Sequence, residues 1–391
     1  MEFEPWMLLV FPLFFGMGWW AARIDIKDLL SESTALPESY FQGLNFLLNE
    51  QQDEAIKAFI EVVKIDPQTV ELHFALGSLF RRRGEVDRAL RMHHNLVDRA
   101  DLDDEKRQHA IFELAQDYLK AGILDRAEHL FRELENSAYA NPAWAFLLEL
   151  FQKERDWLKA ISAAQKLSVL SGQSYAKQIA FFYCELASDE IASGNPLAAH
   201  AHLQQALNDC PVSVRATIML GDMALAEGNT GEAIALWQGI ETQDAQYLPL
   251  VAESLLKVYS QLGREAECIE LLRNYLIKHH SIDLLNVVFD GILKYQGPSS
   301  AYKLVLDELE RNPSLLGLDK LLEARLLEIP IGERADVQLV KDLVHKRTRS
   351  LAMYHCSHCG FKARKFYWHC PACQAWDSYA PRRDEESGLP L

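Results

Sequence analysis

The chain has 391 residues, 49% of them hydrophobic and 25% charged, a globular balance that excludes an intrinsically disordered chain. Its formal net charge of −16 is unevenly spread: residues 341–383 hold nine Lys and Arg against Asp342 and Asp377, which is +7, while residues 1–340 carry −20. An acidic body of that kind is poor material for wrapping duplex nucleic acid, and an odd total of seven cysteines argues against a disulfide-stapled secreted fold.

The first predicted element is apolar. From Pro5 to Ala22 no residue carries a formal charge. As a helix this stretch reaches ~27 Å, about one hydrocarbon core. Trp6 at one end and Trp19 with Trp20 at the other take interfacial positions, and Pro12 predicts a kink. A cleaved signal peptide is the competing reading. It fits poorly, because Glu2 and Glu4 stand where a basic start is needed and no small-x-small cleavage site follows. Arg23 and Lys27 follow the segment and no Lys or Arg precedes it. The positive-inside rule therefore places residues 1–4 outside and everything after residue 22 in the cytoplasm, with 23–35 as a linker.

From residue 36 to 345 the sequence repeats itself. Gly43 and Gly77 are 34 residues apart, as are Ala55 and Ala89. On that period small residues recur at one position: Ala55, Ala89, Ala127, Ala160, Ala199, Ala233, Cys268 and Ala301. Five residues earlier most units carry glycine (Gly84, Gly122, Gly194, Gly228, Gly263), and four residues later a large apolar side chain recurs, as at Phe59, Phe131, Leu203 and Trp237. Small residues where two helices cross, glycine in the turn between them and proline after the second helix (Pro67, Pro211, Pro313) resemble the tetratricopeptide repeat. Units start near 36, 70, 108, 141, 180, 214, 249 and 282, and a ninth, degenerate pair runs from Leu315 to about His345. Unit four has Arg155 in place of its turn glycine, and the first helix of unit eight matches poorly. The expected fold is an all-α solenoid of eight or nine units, whose first helices supply a groove for peptides and protein domains.

Residues 350–380 carry the most specific chemical signal. Cys356-x-x-Cys359 and Cys370-x-x-Cys373 are separated by ten residues, a spacing that predicts a four-thiolate cage for one metal ion. Gly360 suits the backbone excursion after the second cysteine. Cys184, Cys210 and Cys268 stand alone in apolar helical text and read as core side chains. Phe366, Tyr367 and Trp368 read as the small core of this module, and its basic surface is suited to docking back on the acidic body or to anionic headgroups. A hypothesis follows, that the module docks on the last repeats and closes the groove. Residues 381–391 read as a flexible tail.

Other polar features have plain readings. Arg81-Arg82-Arg83 reads as a solvated helix end favourable to the dipole. His93-His94 and His279-His280 lack partners at metal-ligand spacing, and Phe181, Phe182 and Tyr183 read as core stripe. No phosphate loop, Gly-x-Ser-x-Gly elbow or His-Glu-x-x-His motif is present, and no catalytic residue is predicted. Four thiolates leave a metal no open position for water or substrate. Three functions stay open: a protein adaptor with a structural ion, an electron-transfer protein if the ion is iron, and a metal ribbon that touches nucleic acid.

Taken together, an N-terminal apolar helix, a tetratricopeptide array and a terminal Cys-x-x-Cys-Gly…Trp-His-Cys-Pro-x-Cys module resemble the lipopolysaccharide assembly protein B family of Gram-negative bacteria. So do the stretches Phe46-Leu47-Leu48, Gly84-Glu85-Val86-Asp87-Arg88-Ala89 and Phe182-Tyr183-Cys184-Glu185-Leu186-Ala187. The module is similar to rubredoxin at its knuckles, with Gln374 where rubredoxin has glycine after the fourth cysteine. The resemblance implies a non-enzymatic adaptor at the bacterial inner membrane, single-pass, with a periplasmic N-terminus. Its implied partners are a membrane AAA+ protease of the FtsH type, the deacetylase that commits flux to lipid A (as client), an inner-membrane regulator of lipopolysaccharide synthesis, and lipopolysaccharide transport and assembly proteins. No nucleic acid is expected. The implied metal ligands are Cys356, Cys359, Cys370 and Cys373, holding iron or zinc.

Overall fold

The computed structural model describes residues 15–19, 38–49, 51–65, 69–349, 351–383 and 385. Of the predicted membrane segment 5–22 only residues 15–19 fall among them, as helix; the rest of that segment, residues 1–4 and the linker 23–35 lie outside the described residues, as does the tail apart from residues 381–383 and 385. Among the described residues no helix is long and apolar enough to cross a membrane.

Helices come in pairs along the chain. In order they are α1 (Glu38–Leu48) with α2 (Gln52–Ile65), α3 (Val70–Arg83) with α4 (Val86–Val97), and α5 (Asp104–Ala121) with α6 (Leu124–Glu133). Next are α7 (Ala140–Glu154) with α8 (Trp157–Ser171), α9 (Ala176–Ala192) with α10 (Pro196–Asp209), and α11 (Val214–Ala226) with α12 (Thr230–Asp244). A short 3-10 turn, Ala245–Tyr247, precedes α13 (Pro249–Gln261), which pairs with α14 (Glu265–His279). The last pairs are α15 (Ile282–Gln296) with α16 (Pro298–Arg311), and α17 (Leu315–Glu328) with α18 (Arg334–Thr348). First helices thus begin at 38, 70, 104, 140, 176, 214, 249, 282 and 315, within four residues of the starts expected from the repeat. The fold is an all-α tetratricopeptide array followed by a small module with one two-stranded sheet, β1 (Tyr354–His355) and β2 (Lys362–Ala363), antiparallel.

The two residue ladders have distinct physical jobs. Each small residue from Ala55 to Ala301 is 0% exposed, because a larger side chain there would force the paired helices apart. The turn glycines take positive φ, between 68° at Gly263 and 85° at Gly228, a conformation that only glycine adopts without steric cost. In each such turn the next amide reaches back five residues, as from Glu85 N–H to the Phe80 carbonyl at 2.8 Å. Unit four keeps this turn without glycine: Arg155 adopts φ 59°, and Asp156 N–H bonds the Phe151 carbonyl at 2.9 Å. Tertiary packing has overridden local preference there, at a cost of about 1–2 kcal/mol. Close approach requires glycine at Gly221, where a Cβ would stand 2.3 Å from the Trp237 ring nitrogen.

The chain divides into two compact units, Met1–Leu150 and Phe151–Leu391. In the first, a buried charge network replaces the solvated face expected of Arg81. The guanidinium bonds Asp117 at 2.8 Å and Glu113 at 2.6 Å, and Asp117 also meets His93 Nδ1 at 2.5 Å. His93 and Asp117 are 0% exposed, since His93 fills the position that other repeats give to Phe59 or Trp237. Breaking such a network from one side leaves a buried charge unpaired, worth about 3–5 kcal/mol. The second unit has a continuous core running from Val214 to Ala324, against which Phe366 and Trp368 of the module pack.

Candidate metal centre

The module is built from two similar turns. β1 leads into Cys356 and Cys359, and Gly360 N–H returns to the Cys356 carbonyl at 2.8 Å, with Gly360 at φ 74°. The second turn copies the first: Gln374 N–H bonds the Cys370 carbonyl at 2.9 Å with Gln374 at φ 59°. Cys356 and Cys370 each donate their own amide to a carbonyl five residues on, Phe361 and Ala375, both at 2.9 Å. The missing glycine at Gln374 therefore leaves the backbone symmetry of the two knuckles intact.

These turns bring all four sulfurs within 4.8 Å of one another. Cys356 and Cys373 are 3.7 Å apart and Cys359 and Cys370 3.8 Å, far beyond a disulfide bond. A tetrahedral ion with metal–sulfur bonds of about 2.3 Å has sulfur–sulfur edges of about 3.8 Å, so the donor set fits one such ion. Iron and zinc both accept it. Two of the four cysteines, Cys356 and Cys370, are buried, while Cys359 is exposed.

The surroundings favour thiolate at one end of the set. Burial alone would raise the Cys356 thiol, but the Ser378 hydroxyl at 3.2 Å and the Cys359 and His358 amides hold it down to about 6. At Cys373 the Ala375 amide favours thiolate, yet desolvation and the crowding sulfurs push it up to about 12. Four sulfurs this close do not ionise together without a cation between them, and that is the chemistry the site supplies. The three remaining cysteines behave as core: burial pushes Cys184 and Cys268 up to about 12, and Cys210 is 8% exposed.

The module does not stand free. Trp376 stacks on Phe181 (ring centroids 5.4 Å), meets Phe182 and Trp157 edge-on, and donates its indole N–H to Gln152 at 2.8 Å. Trp368 stacks on Tyr247 at 5.2 Å, and Phe366 meets the same ring edge-on. Between these anchors, Tyr247 donates its hydroxyl to Asp377 at 2.6 Å, and Lys177 pairs with the same carboxylate. Burial, then Asp377, pushes the Tyr247 phenol well above its ordinary value, so it stays a donor. Farther along, Asp283 accepts from the Tyr354 hydroxyl at 2.6 Å and from two nitrogens of Arg383 at 2.7 and 3.0 Å. Glu385 accepts the Leu315 and Leu316 amides at the start of α17.

The anchoring residues on the repeats lie mainly on first helices, α7, α9 and α15. Three expectations change. Contacts run from the end of α7 to the start of α17, not only along the last repeats. Phe181 is buried under Trp376 and Trp368, so it belongs to the docking surface as well as to the core stripe. Phe366 packs on the module's core beside Tyr354, as expected, and also meets the repeats; Trp368 faces the repeats, while Tyr367 packs on Tyr379. The paired histidines are structural: His94 meets Asp98 at 2.9 Å, His279 lies 3.6 Å from Glu241, and His280 lies 3.3 Å from Glu308. Sequence reasoning missed Trp376, Asp377, Asp283 and Arg383. The one available signal was position, because Trp376 and Asp377 follow the last cysteine directly.

A family model described as a rubredoxin metal binding domain matches residues 354–381, and one described as a tetratricopeptide repeat matches residues 42–91 and 184–247. Lipopolysaccharide assembly protein B of Escherichia coli (strain K12) is 35% identical, across 96% of this chain and 98% of its own. The protein of the same name from Haemophilus influenzae is 28% identical, across 97% of this chain and 98% of its own. With the array and the four-cysteine module both in place, the chain belongs to the lipopolysaccharide assembly protein B family.

Proposed function

We propose that this chain is a non-enzymatic adaptor in lipopolysaccharide assembly. The observation that carries the reading is full-length similarity, at 35% identity, to a protein named for that process. The module's closed four-sulfur site supports it, because it offers an ion no open position for substrate and suits a structural role. In the finer reading, residues 5–22 anchor the chain in the bacterial inner membrane, with residues 1–4 periplasmic and the remainder cytoplasmic. Residues 23–35 link the anchor to repeats at 36–345, the metal module spans 350–380, and 381–391 form a tail. Cys356, Cys359, Cys370 and Cys373 hold one iron or zinc ion.

As the family resemblance implies, the anchor meets an AAA+ protease and an inner-membrane regulator, and the soluble part holds the lipid A-committing deacetylase for degradation. A cavity of about 720 Å³ between α13 and α15, bordered by Tyr354, leaves room for a client segment beside the docked module. A crosslinked pull-down from membranes tests this division. The full chain is compared with one starting at residue 23; loss of the protease with retention of the deacetylase supports the reading. Retention of both, or loss of both, refutes it. The electron-transfer alternative predicts a reversible one-electron couple in the purified protein, whose absence removes that reading.

A further inference from the structure

Repeat arrays end on helices with a polar outer face, because nothing further along the chain covers them. α18 departs from this. Its inward stripe is Val337, Lys341, Val344 and Thr348, partly or fully buried, and it is tied to α17 by the His345–Asp319 contact at 2.8 Å and the Lys341–Glu323 contact at 3.9 Å. On the outer side Leu339, Val340 and Leu343 stand 61%, 47% and 62% exposed. Asp336 lies three residues before Leu339, and Lys346 and Arg347 lie three and four residues after Leu343, all exposed. Spacings of three, four and three place Asp336, Leu339, Leu343 and Lys346 on one seam of the kind that pairs helices.

That seam is complementary to its own reverse. Turned end for end about a two-fold axis at the level of Lys341, Leu339 meets Leu343 of a second copy, and Asp336 meets Lys346 with Arg347 beside it. Both ends match at once, since a two-fold contact places each residue on its counterpart in both directions. A lipid surface fits less well, because Asp336 and Asp342 are exposed on the same half of the helix and oppose anionic headgroups. We propose that the outer face of α18 is a self-association surface, where two copies pair antiparallel through Leu339 and Leu343 with Asp336 set against Lys346 and Arg347.

One helix of ~22 Å places this contact at the weak, transient end of interface sizes, so association depends on protein concentration. The test is sedimentation velocity of the full chain in detergent over about 1–100 µM, a range suited to micromolar affinity. The wild-type chain shifts toward dimer across that range. Leu343→Asp, at a position exposed enough to leave the fold intact, stays monomeric with an unchanged circular dichroism melt. Asp336→Lys weakens association about tenfold, which is 1.4 kcal/mol, and adding Lys346→Asp with Arg347→Asp restores it. A wild-type chain monomeric throughout overturns the proposal. So does dimerisation indifferent to Leu343→Asp, which assigns it to another surface, or binding of the wild-type monomer to anionic vesicles that Leu343→Asp abolishes.

Discussion

Replacing Trp376 with alanine removes the side chain on which the module's grip on α7, α8 and α9 converges. Its indole stacks on Phe181, meets Trp157 and Phe182 edge-on, covers His369 at 4.3 Å and bonds Gln152 at 2.8 Å. Truncating a buried tryptophan costs about 3–5 kcal/mol. Trp376 is only partly buried, so the low end, about 3 kcal/mol, applies. At 1.4 kcal/mol per factor of ten, that raises the undocked population roughly a hundredfold. Leu351, in the link between α18 and β1, is 7% exposed and becomes cleavable when the module lifts. Native-state thermolysin digestion therefore reads the open population directly when reclosing outpaces cleavage. The expected result is cleavage near Leu351 about a hundred times faster than in the wild type, with bound metal retained. A change under threefold, at equal metal content, would show that Trp376 does not hold the module and that the aromatic cluster is incidental.

Four further outcomes follow from the same contacts. Asp283→Asn keeps an acceptor for Tyr354 but discharges the Arg383 pair; a loss of about 1.5–3 kcal/mol is expected by urea denaturation, and Arg383→Met in the same chain should add little. Cys370→Ser should abolish stoichiometric metal binding and expose residues 354–379 to hydrogen exchange, and wild-type metal content in that variant would contradict the four-sulfur cage. Gln374→Gly should raise the module's stability by up to about 1 kcal/mol by relieving a positive φ, visible as slower metal loss to a chelator. At Glu113 burial acts to raise the carboxyl, but His109 and Arg81 hold it at about 2 against an ordinary 4.5. A depressed folded value gives stability that is complete above pH 4.5 and is lost as pH falls from 4.5 toward 2. Melting curves over that window should flatten in Glu113→Gln.

The repeat was legible because one physical demand recurs at one position. Two helices crossing closely need Ala or Cys at the contact, and the turn between them needs positive φ, so Ala233 and Gly228 announce themselves at any repeat. Arg155 shows the limit of that logic: the neighbouring helices impose the turn even where the residue resists it. The metal knuckles were legible for the same reason, since one ion dictates cysteine spacing. The charge network was not. Arg81 and Asp117 are 36 residues apart, and only the stacking of adjacent repeats brings a guanidinium at the end of α3 against α5. Nor could composition show where the module docks. Its +7 charge suggested attraction to an acidic body, yet around Trp376 the contact is chiefly aromatic. One of its ion pairs has the opposite polarity, with Lys177 on the repeats and Asp377 on the module.

That reversal bears on how metal binding and docking are coupled. Trp368 precedes Cys370 by two residues, and Trp376 and Asp377 follow Cys373 by three and four, so the second knuckle lies between the anchors. Its geometry is passed to them directly: Asp377 N–H bonds the Trp368 carbonyl at 2.9 Å, and His369, which stacks on Trp376, bonds the Gln374 carbonyl at 2.8 Å. A segment this short buries too little to hold such a loop by packing alone, whereas gathering four thiolates about one ion contributes on the order of 10 kcal/mol. An ion held at the cage therefore acts on the repeats through Trp368, Trp376 and Asp377. Exposed charges alone would have given a contact weakened by salt. Stacked rings around a hydrogen-bonded Tyr247 give one that depends on the shape of the knuckle, and hence on the four cysteines that set it.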